Sequence, residues 1–230
     1  MDRVFLRSNE LELRDDDYNH IIKSLRNGVG DCIEIVFGKE VILAKIVSVD
    51  KKCAKLEKIK SHIINEEQTK IHLIQGCVEK KKWDFIFNYA TQSGIVSFTP
   101  MTTEYMKEYS KKEINLERSY KIIRDAAMQS KSYSIPIINE AIDFDDIFKR
   151  YDKSKLFMLD FLGENISRYI DDIKKCDEIF IVVGPEGGFS DNEKEKAKKE
   201  GINMIKLHDR VLRTELAGLA ISNIIKALII

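Results

Sequence analysis

The sequence predicts an α/β protein in two parts: a small N-terminal β-barrel domain carrying one helix, and a larger C-terminal domain built on a parallel sheet. Three observations lead there. Between residues 32 and 59, three short runs with partial apolar alternation are separated by turns. From residue 69 onward, apolar runs of strand length alternate with stretches of helix length. The polar Asn65-Glu66-Glu67-Gln68 lies where the pattern changes, which puts the domains at 1–67 and 68–230.

In order, 17–26 (DYNHIIKSLR) reads as a helix stopped by Asn27-Gly28. Strands follow at 32–37, 41–49 and 53–59, with Gly38-Lys39 and Asp50-Lys51-Lys52 as turns. The second part opens with a strand at 71–77 (IHLIQGC). A helix at 81–94 follows, closed by Gly94. Then come a strand at 95–100, a helix at 116–130, a strand at 134–138, a helix at 144–151, a strand at 155–160 and a helix at 165–175. A strand at 179–183, a helix at 191–200, a strand at 202–208 and a terminal helix from Thr214 complete the series. In an open parallel sheet, ligands sit beyond the carboxyl ends of the strands, which singles out the loops 159–163, 184–190 and 208–214.

Composition narrows the function classes. The chain of 230 residues has 38 basic and 38 acidic side chains, so net charge neither demands nor forbids nucleic acid. A basic surface must come from clustering, as at Lys80-Lys81-Lys82. Cys32, Cys53, Cys77 and Cys176 form no CxxC pair, so no metal site is expected. The first residues lack the apolar core of a signal peptide, and a reducing cytoplasm is the expected location. Residues 216–230 are strongly apolar but short for a membrane span and contain Ser222, Asn223 and Lys226. A buried or subunit-contacting helix is expected there, and no membrane association.

Two stretches carry chemistry. Gly184-Pro185-Glu186-Gly187-Gly188 ends a strand; it is neither a Walker A loop nor the GxGxxG of a dinucleotide-binding fold, so a nicotinamide-dependent oxidoreductase lacks its fingerprint. Adjacent glycines let backbone approach a ligand, and Pro185 fixes the turn. Ser190 with Glu193 is a capping box that explains the helix start by itself. In Leu207-His208-Asp209-Arg210-Val211-Leu212-Arg213-Thr214-Glu215, a strand ends and a helix begins within a few residues. Taken singly, Arg213 and Glu215 would pass for a surface ion pair.

Together, GPEGGFSxxE and LxxxVLRTExA before an apolar terminal helix resemble the RsmE family of 16S ribosomal RNA methyltransferases, of the knotted SPOUT class. The resemblance spans nearly the whole chain. RVFL near the start is similar to the family's first strand, and His20 to Arg26 to its H-x-x-x-x-L-R helix. The segments 81–100 and 122–136 have family counterparts too. Departures stand at Gln92 and Met128, where the family has glutamate, at Lys131 or Ser132, where arginine is usual, and at His208 and Leu216. They leave room for an RNA-binding relative that has lost catalysis.

The resemblance implies a PUA-like RNA-binding N-terminal domain and a SPOUT domain with a deep C-terminal trefoil knot. It implies S-adenosyl-L-methionine as cofactor, methylation of N3 of a uridine in 16S rRNA within the 30S subunit, and a homodimer. Cofactor contacts would come from Leu159, from Gly184, Pro185, Glu186, Gly187 and Gly188, and from Leu207, Val211, Leu212, Thr214 and Ala217. Arg213 is the expected charge stabiliser, with Glu186 and Glu215 as alternative bases. Arg3, Arg7, Lys23, Arg26 and Lys82 are the expected RNA contacts.

Overall fold

Residues 1–6, 10–64, 69–106 and 114–229 are described in the computed structural model, so Arg7 lies outside the described residues. The chain divides into two units, Met1–Glu66 with Ala127–Ser134, and Glu67–Ala126 with Ile135–Ile230.

In the first unit, β1 (Arg3–Phe5), β2 (Glu12–Arg14), β3 (Cys32–Phe37), β4 (Glu40–Val49) and β5 (Cys53–Ile63) form one sheet in the order β1-β3-β4-β5-β2. The β3–β4 hairpin turns on Gly38-Lys39, with Gly38 at φ +56, a conformation costly to any residue with a Cβ. The β4–β5 ladder slips register twice, at Leu43/Ala44 and at Ile46/Ser48. Such bulges bend a strand and increase its twist, which curls the sheet around a core of Leu13, Ile21, Ile33, Ile35, Ala44 and Ile46. The helix expected at 17–26 starts earlier, as α1 (Asp15–Tyr18), and continues as a π-helical turn over Asn19–Ser24. Three aspartates in the first turn of α1 suit the positive end of the helix dipole.

The second unit carries β6 (Lys70–Gly76), β7 (Ile95–Thr102), β8 (Ile137–Ile138), β9 (Ile142–Asp143), β10 (Leu156–Asn165), β11 (Glu178–Val183) and β12 (Asn203–Lys206). Every pairing is parallel, in the order β12-β10-β11-β6-β7-β8, with β9 also on β7. Strand alternation sends residues to both faces. Ile179, Ile181 and Val183 of β11 join one core with Phe87 and Trp83 of α2 (Lys80–Gln92), Ile123 of α3 (Leu116–Gln129), and Ala217, Ile221 and Ile225 of α7 (Thr214–Ile229). Phe180 and Val182 join the other, with Phe144, Phe148 of α4 (Ile147–Arg150) and Ala197 of α6 (Asp191–Glu200). A sheet buried on both faces explains why its strands read as nearly continuous apolar runs.

Three expectations shift in detail. The helix at 165–175 is a 3-10 turn, Ile166–Tyr169, followed by one turn of α5 (Ile170–Ile173). The strand at 134–138 pairs only at Ile137–Ile138. The strand expected to stop at 160 runs on to Asn165, because Leu159 and Glu164 both pair with Ile205. The four residues between them loop out, and Gly163 crosses β12 so closely that a Cβ there would lie 2.6 Å from Ile205 backbone. Among the described residues, no helix is long and apolar enough to cross a membrane.

Candidate active site

The loop-out within β10 and the segments that follow β11 and β12 lie side by side and enclose a cavity of about 530 Å³ in the second unit. Leu159, Gly184, Pro185, Glu186, Gly187 and Gly188 line it from two of these segments. Leu207, Val211, Leu212, Arg213, Thr214, Glu215 and Ala217 line it from the third. Every residue expected to hold a cofactor or act on a substrate there therefore faces one space.

The 184–190 loop is held from below. Gly188 has φ +70, which favours glycine, and its amide donates to the Pro185 carbonyl at 3.0 Å. Gln75, at the end of β6 and fully buried, donates from Nε2 to the Gly184 carbonyl at 3.3 Å and to Thr214 Oγ1 at 2.8 Å. Thr214 Oγ1 donates in turn to the Gly184 carbonyl. One polar network thus joins the glycine turn to the start of α7. Beyond the loop, the capping box forms as expected: Glu193 N donates to Ser190 Oγ at 3.1 Å, and Ser190 N to Glu193 Oε2 at 2.8 Å. Glu193 Oε1 also accepts from the Glu104 amide at 3.0 Å, so this carboxylate ties together three segments.

The charged groups are unevenly paired. Lys82, on the first turn of α2, places Nζ 2.5 Å from Glu186 Oε1 and 3.7 Å from Glu215 Oε2. Burial works against its charge. The Glu186 carboxylate, with Glu215 and Glu79 behind it, outweighs that and holds the Lys82 pKa above its usual value. Glu215 Oε2 is buried without a hydrogen-bond partner. Lys194 reaches Asp160 Oδ2 at 3.2 Å and anchors the loop-out of β10 to α6. Arg210, Val211 and Arg213 are exposed on the rim, and His208 Nδ1 accepts from the Arg210 amide at 3.1 Å.

The expected RNA contacts separate. Arg3 is 6% exposed and bound to Glu34 at 2.7 Å and to the carbonyls of Lys131 and Ser132, with its guanidinium 4.7 Å above the Tyr133 ring. That corrects its assignment, since a guanidinium so fully engaged inside the unit has no donor face left for a phosphate. Lys23 and Arg26 are exposed in the first unit. Lys82, expected among the RNA contacts, lines the cavity and pairs with Glu186. Gln75 and Asp160 were not singled out from the sequence. A glutamine inside an apolar strand was the available signal, because a buried amide must find partners. Of the departures, Gln92 is exposed at the end of α2 and Met128 is buried. Among the described residues, no group of three or more His, Cys, Asp or Glu side chains is arranged to hold a metal ion.

The comparisons agree with this geometry. A family model described as an RNA methyltransferase domain matches residues 65–226, and one described as an RNA methyltransferase PUA domain matches residues 13–59. A ribosomal RNA small subunit methyltransferase E from Buchnera aphidicola subsp. Acyrthosiphon pisum is 32% identical, covering 90% of this chain and 83% of its own. The protein of the same name from Mesomycoplasma hyopneumoniae is 30% identical over 80% of each chain. Among solved structures, a ribosomal RNA small subunit methyltransferase E from Neisseria gonorrhoeae, bound to S-adenosyl methionine, superposes with a TM-score of 0.86 at 24% identity, covering 99% of this chain and 98% of the other.

Proposed function

The chain belongs to the RNA methyltransferase family, with the small subunit methyltransferases E as its relatives, and from that premise we propose that it methylates N3 of a uridine in 16S rRNA. It is an S-adenosyl-L-methionine-dependent enzyme of ribosomal RNA. The observation that carries the reading is the meeting of Leu159, the GPEGG loop and the 207–217 segment around one cavity.

The residues present fit the cofactor. Pairs of glycines leave backbone open to contact, Leu159, Leu207, Leu212 and Ala217 offer apolar surface, and buried Glu215 Oε2 has no hydrogen-bond partner. These residues, with Gly184 to Gly188, Val211 and Thr214, would hold it. S-adenosyl-L-methionine supplies an electrophilic methyl group on a sulfonium centre, so the protein needs mainly to orient and to exclude water. Uridine N3 has no available pair until its proton leaves, and the departing proton puts negative charge on the pyrimidine oxygens. Arg213, exposed on the rim with its charge in solvent, is placed to stabilise that charge. Glu186 and Glu215 are the candidate bases for that proton; Asp160, which also lines the cavity, is paired with Lys194.

N3 lies on the pairing edge, so the target uridine must be unpaired or flipped out. The first unit, with Lys23 and Arg26 exposed, is the module that would grip RNA backbone. We place the domain boundary at 67/68, the reaction on the assembled 30S subunit and the enzyme in the cytoplasm. Leu216 and Leu228 of α7 are 37% and 44% exposed, and Tyr89 of α2, against which α7 packs, is 44% exposed. That apolar surface supports a homodimer through α7. The close crossing of Gly163 over Ile205 supports the knotted path of the family.

The test is methyl transfer from labelled S-adenosyl-L-methionine to 30S subunits lacking the modification, followed by nucleoside analysis. Label in 3-methyluridine is the expected result. Cofactor binding without label on 30S or free 16S rRNA would overturn the substrate assignment, and absence of cofactor binding would overturn the reading of the GPEGG loop.

A further inference from the structure

In the cavity Lys82 stands between two carboxylates, Glu186 and Glu215, and the three groups are not equivalent. Lys82, Glu186 and Glu215 have side chains only 23%, 14% and 12% exposed. At 2.5 Å, Lys82 Nζ donates a charge-assisted hydrogen bond to Glu186 Oε1. At 3.7 Å from Glu215 Oε2 it exerts attraction without making that bond.

Resting on the methyl transfer proposed above, we infer that Lys82 is a positioning residue that divides the work of the two carboxylates, engaging Glu186 and leaving Glu215 Oε2 as the base for uridine N3. The chemistry favours this division. Protonating the bonded Glu186 oxygen would cost it the bond to the ammonium. Protonating Glu215 Oε2 breaks no hydrogen bond, because it has none. In the step, the N3–H bond breaks and its proton passes to Glu215 Oε2. The electron pair stays on the ring, shared among N3 and the two carbonyl oxygens, and then forms the new N3–methyl bond. The C–S pair remains on the cofactor sulfur, and the proton leaves Glu215 to water.

Burial works against the charge of Lys82, but the carboxylates beside it outweigh that and hold it charged, with its pKa above the usual lysine value. A nearby positive charge keeps a carboxylate ionised to lower pH. Removing it moves the acid limb of the rate profile to higher pH.

The experiment compares wild type, Lys82→Met, Lys82→Arg, Glu186→Gln and Glu215→Gln by single-turnover methylation across pH with saturating cofactor. Titration of the carboxyl signals of ¹³C-glutamate-labelled protein without RNA runs alongside it. Lys82→Met is expected to shift the acid limb up by about one pH unit, so its deficit is largest at low pH, and Lys82→Arg to bring the limb back. Glu215→Gln is expected to remove the limb and slow transfer about 10²–10⁴-fold. An equal loss at every pH in Lys82→Met, or loss of the limb in Glu186→Gln rather than Glu215→Gln, overturns the inference while leaving the methyltransferase reading intact. The labelled titration stands apart from turnover. If Lys82→Met leaves the Glu215 signal's midpoint in place, the inference fails even where the RNA substrate is wrong.

Discussion

Of the three segments that wall the cavity, two are built in opposite ways. In the 184–190 loop, Gly184, Pro185, Phe189 and Ser190 are buried, and the Gly184 carbonyl accepts from both Gln75 and Thr214. In the segment after β12, residues 208–211 are exposed, Val211 at 84%, and Arg213 is exposed as well. The first is a preformed surface, which can bind a ligand through backbone with little ordering cost. The second keeps two guanidinium groups in water, where they meet an incoming polyanion at no prior desolvation cost. Under the proposed function, the contrast fits backbone contact with the cofactor at the buried loop and charge work on RNA at Arg210 and Arg213 of the open one.

The strongest attempt to break that assignment is Arg213→Ala. Single-turnover methyl transfer should fall about 10²–10³-fold, as for loss of a donor to developing charge, with the cofactor dissociation constant nearly unchanged in titration calorimetry. A collapse of cofactor affinity instead would make Arg213 itself part of the cofactor wall. Next in size is Gly76→Ala, under the buried loop. Its Cβ would lie 2.5 Å from Pro185 N, a backbone atom with nowhere to go. Overpacking of this kind costs about 1–3 kcal/mol, visible in denaturant unfolding, and cofactor binding should weaken with it. Val211→Ala, on the open segment, should stay within about 0.5 kcal/mol.

Smaller effects sharpen the comparison. Ser190→Ala removes a helix cap and should cost about 1 kcal/mol, read as a lower unfolding midpoint with the m-value unchanged. Loss of activity without loss of stability would mean that the cap serves catalysis directly. Arg210→Ala is the mildest. If the open segment meets phosphate, the salt-dependence slope of RNA binding should shrink by about 1 while cofactor affinity holds. An unchanged slope would take Arg210 out of the RNA contact.

Much of this was legible in the residues because its causes are local. The Ser190/Glu193 box closes over three positions, and both of its hydrogen bonds form. Residues 191–200 carry the helix the sequence predicts, and the runs of β6 and β11 announce a sheet covered on both faces. The errors have equally local causes. Asp160, Gly163 and Glu164 interrupt an apolar run, so β10 seems to end where it only loops out against Ile205. A basic residue in an N-terminal strand resembles a surface contact, yet Arg3 neutralises Glu34 and caps the carbonyls of Lys131 and Ser132.

The sequence by itself determined the helix caps, the glycine turn, the strand and helix periods, and the motifs that name the family. These depend on backbone conformation and side-chain size within a few residues. Only the tertiary structure decided what the charged groups do. Lys82 and Glu186 stand 104 residues apart in the chain, and Gln75 and Thr214 139 apart. Whether a lysine faces solvent or a buried carboxylate depends on which strand ends the sheet order brings together. Desolvation and Coulomb attraction act through that space, and no local pattern records it.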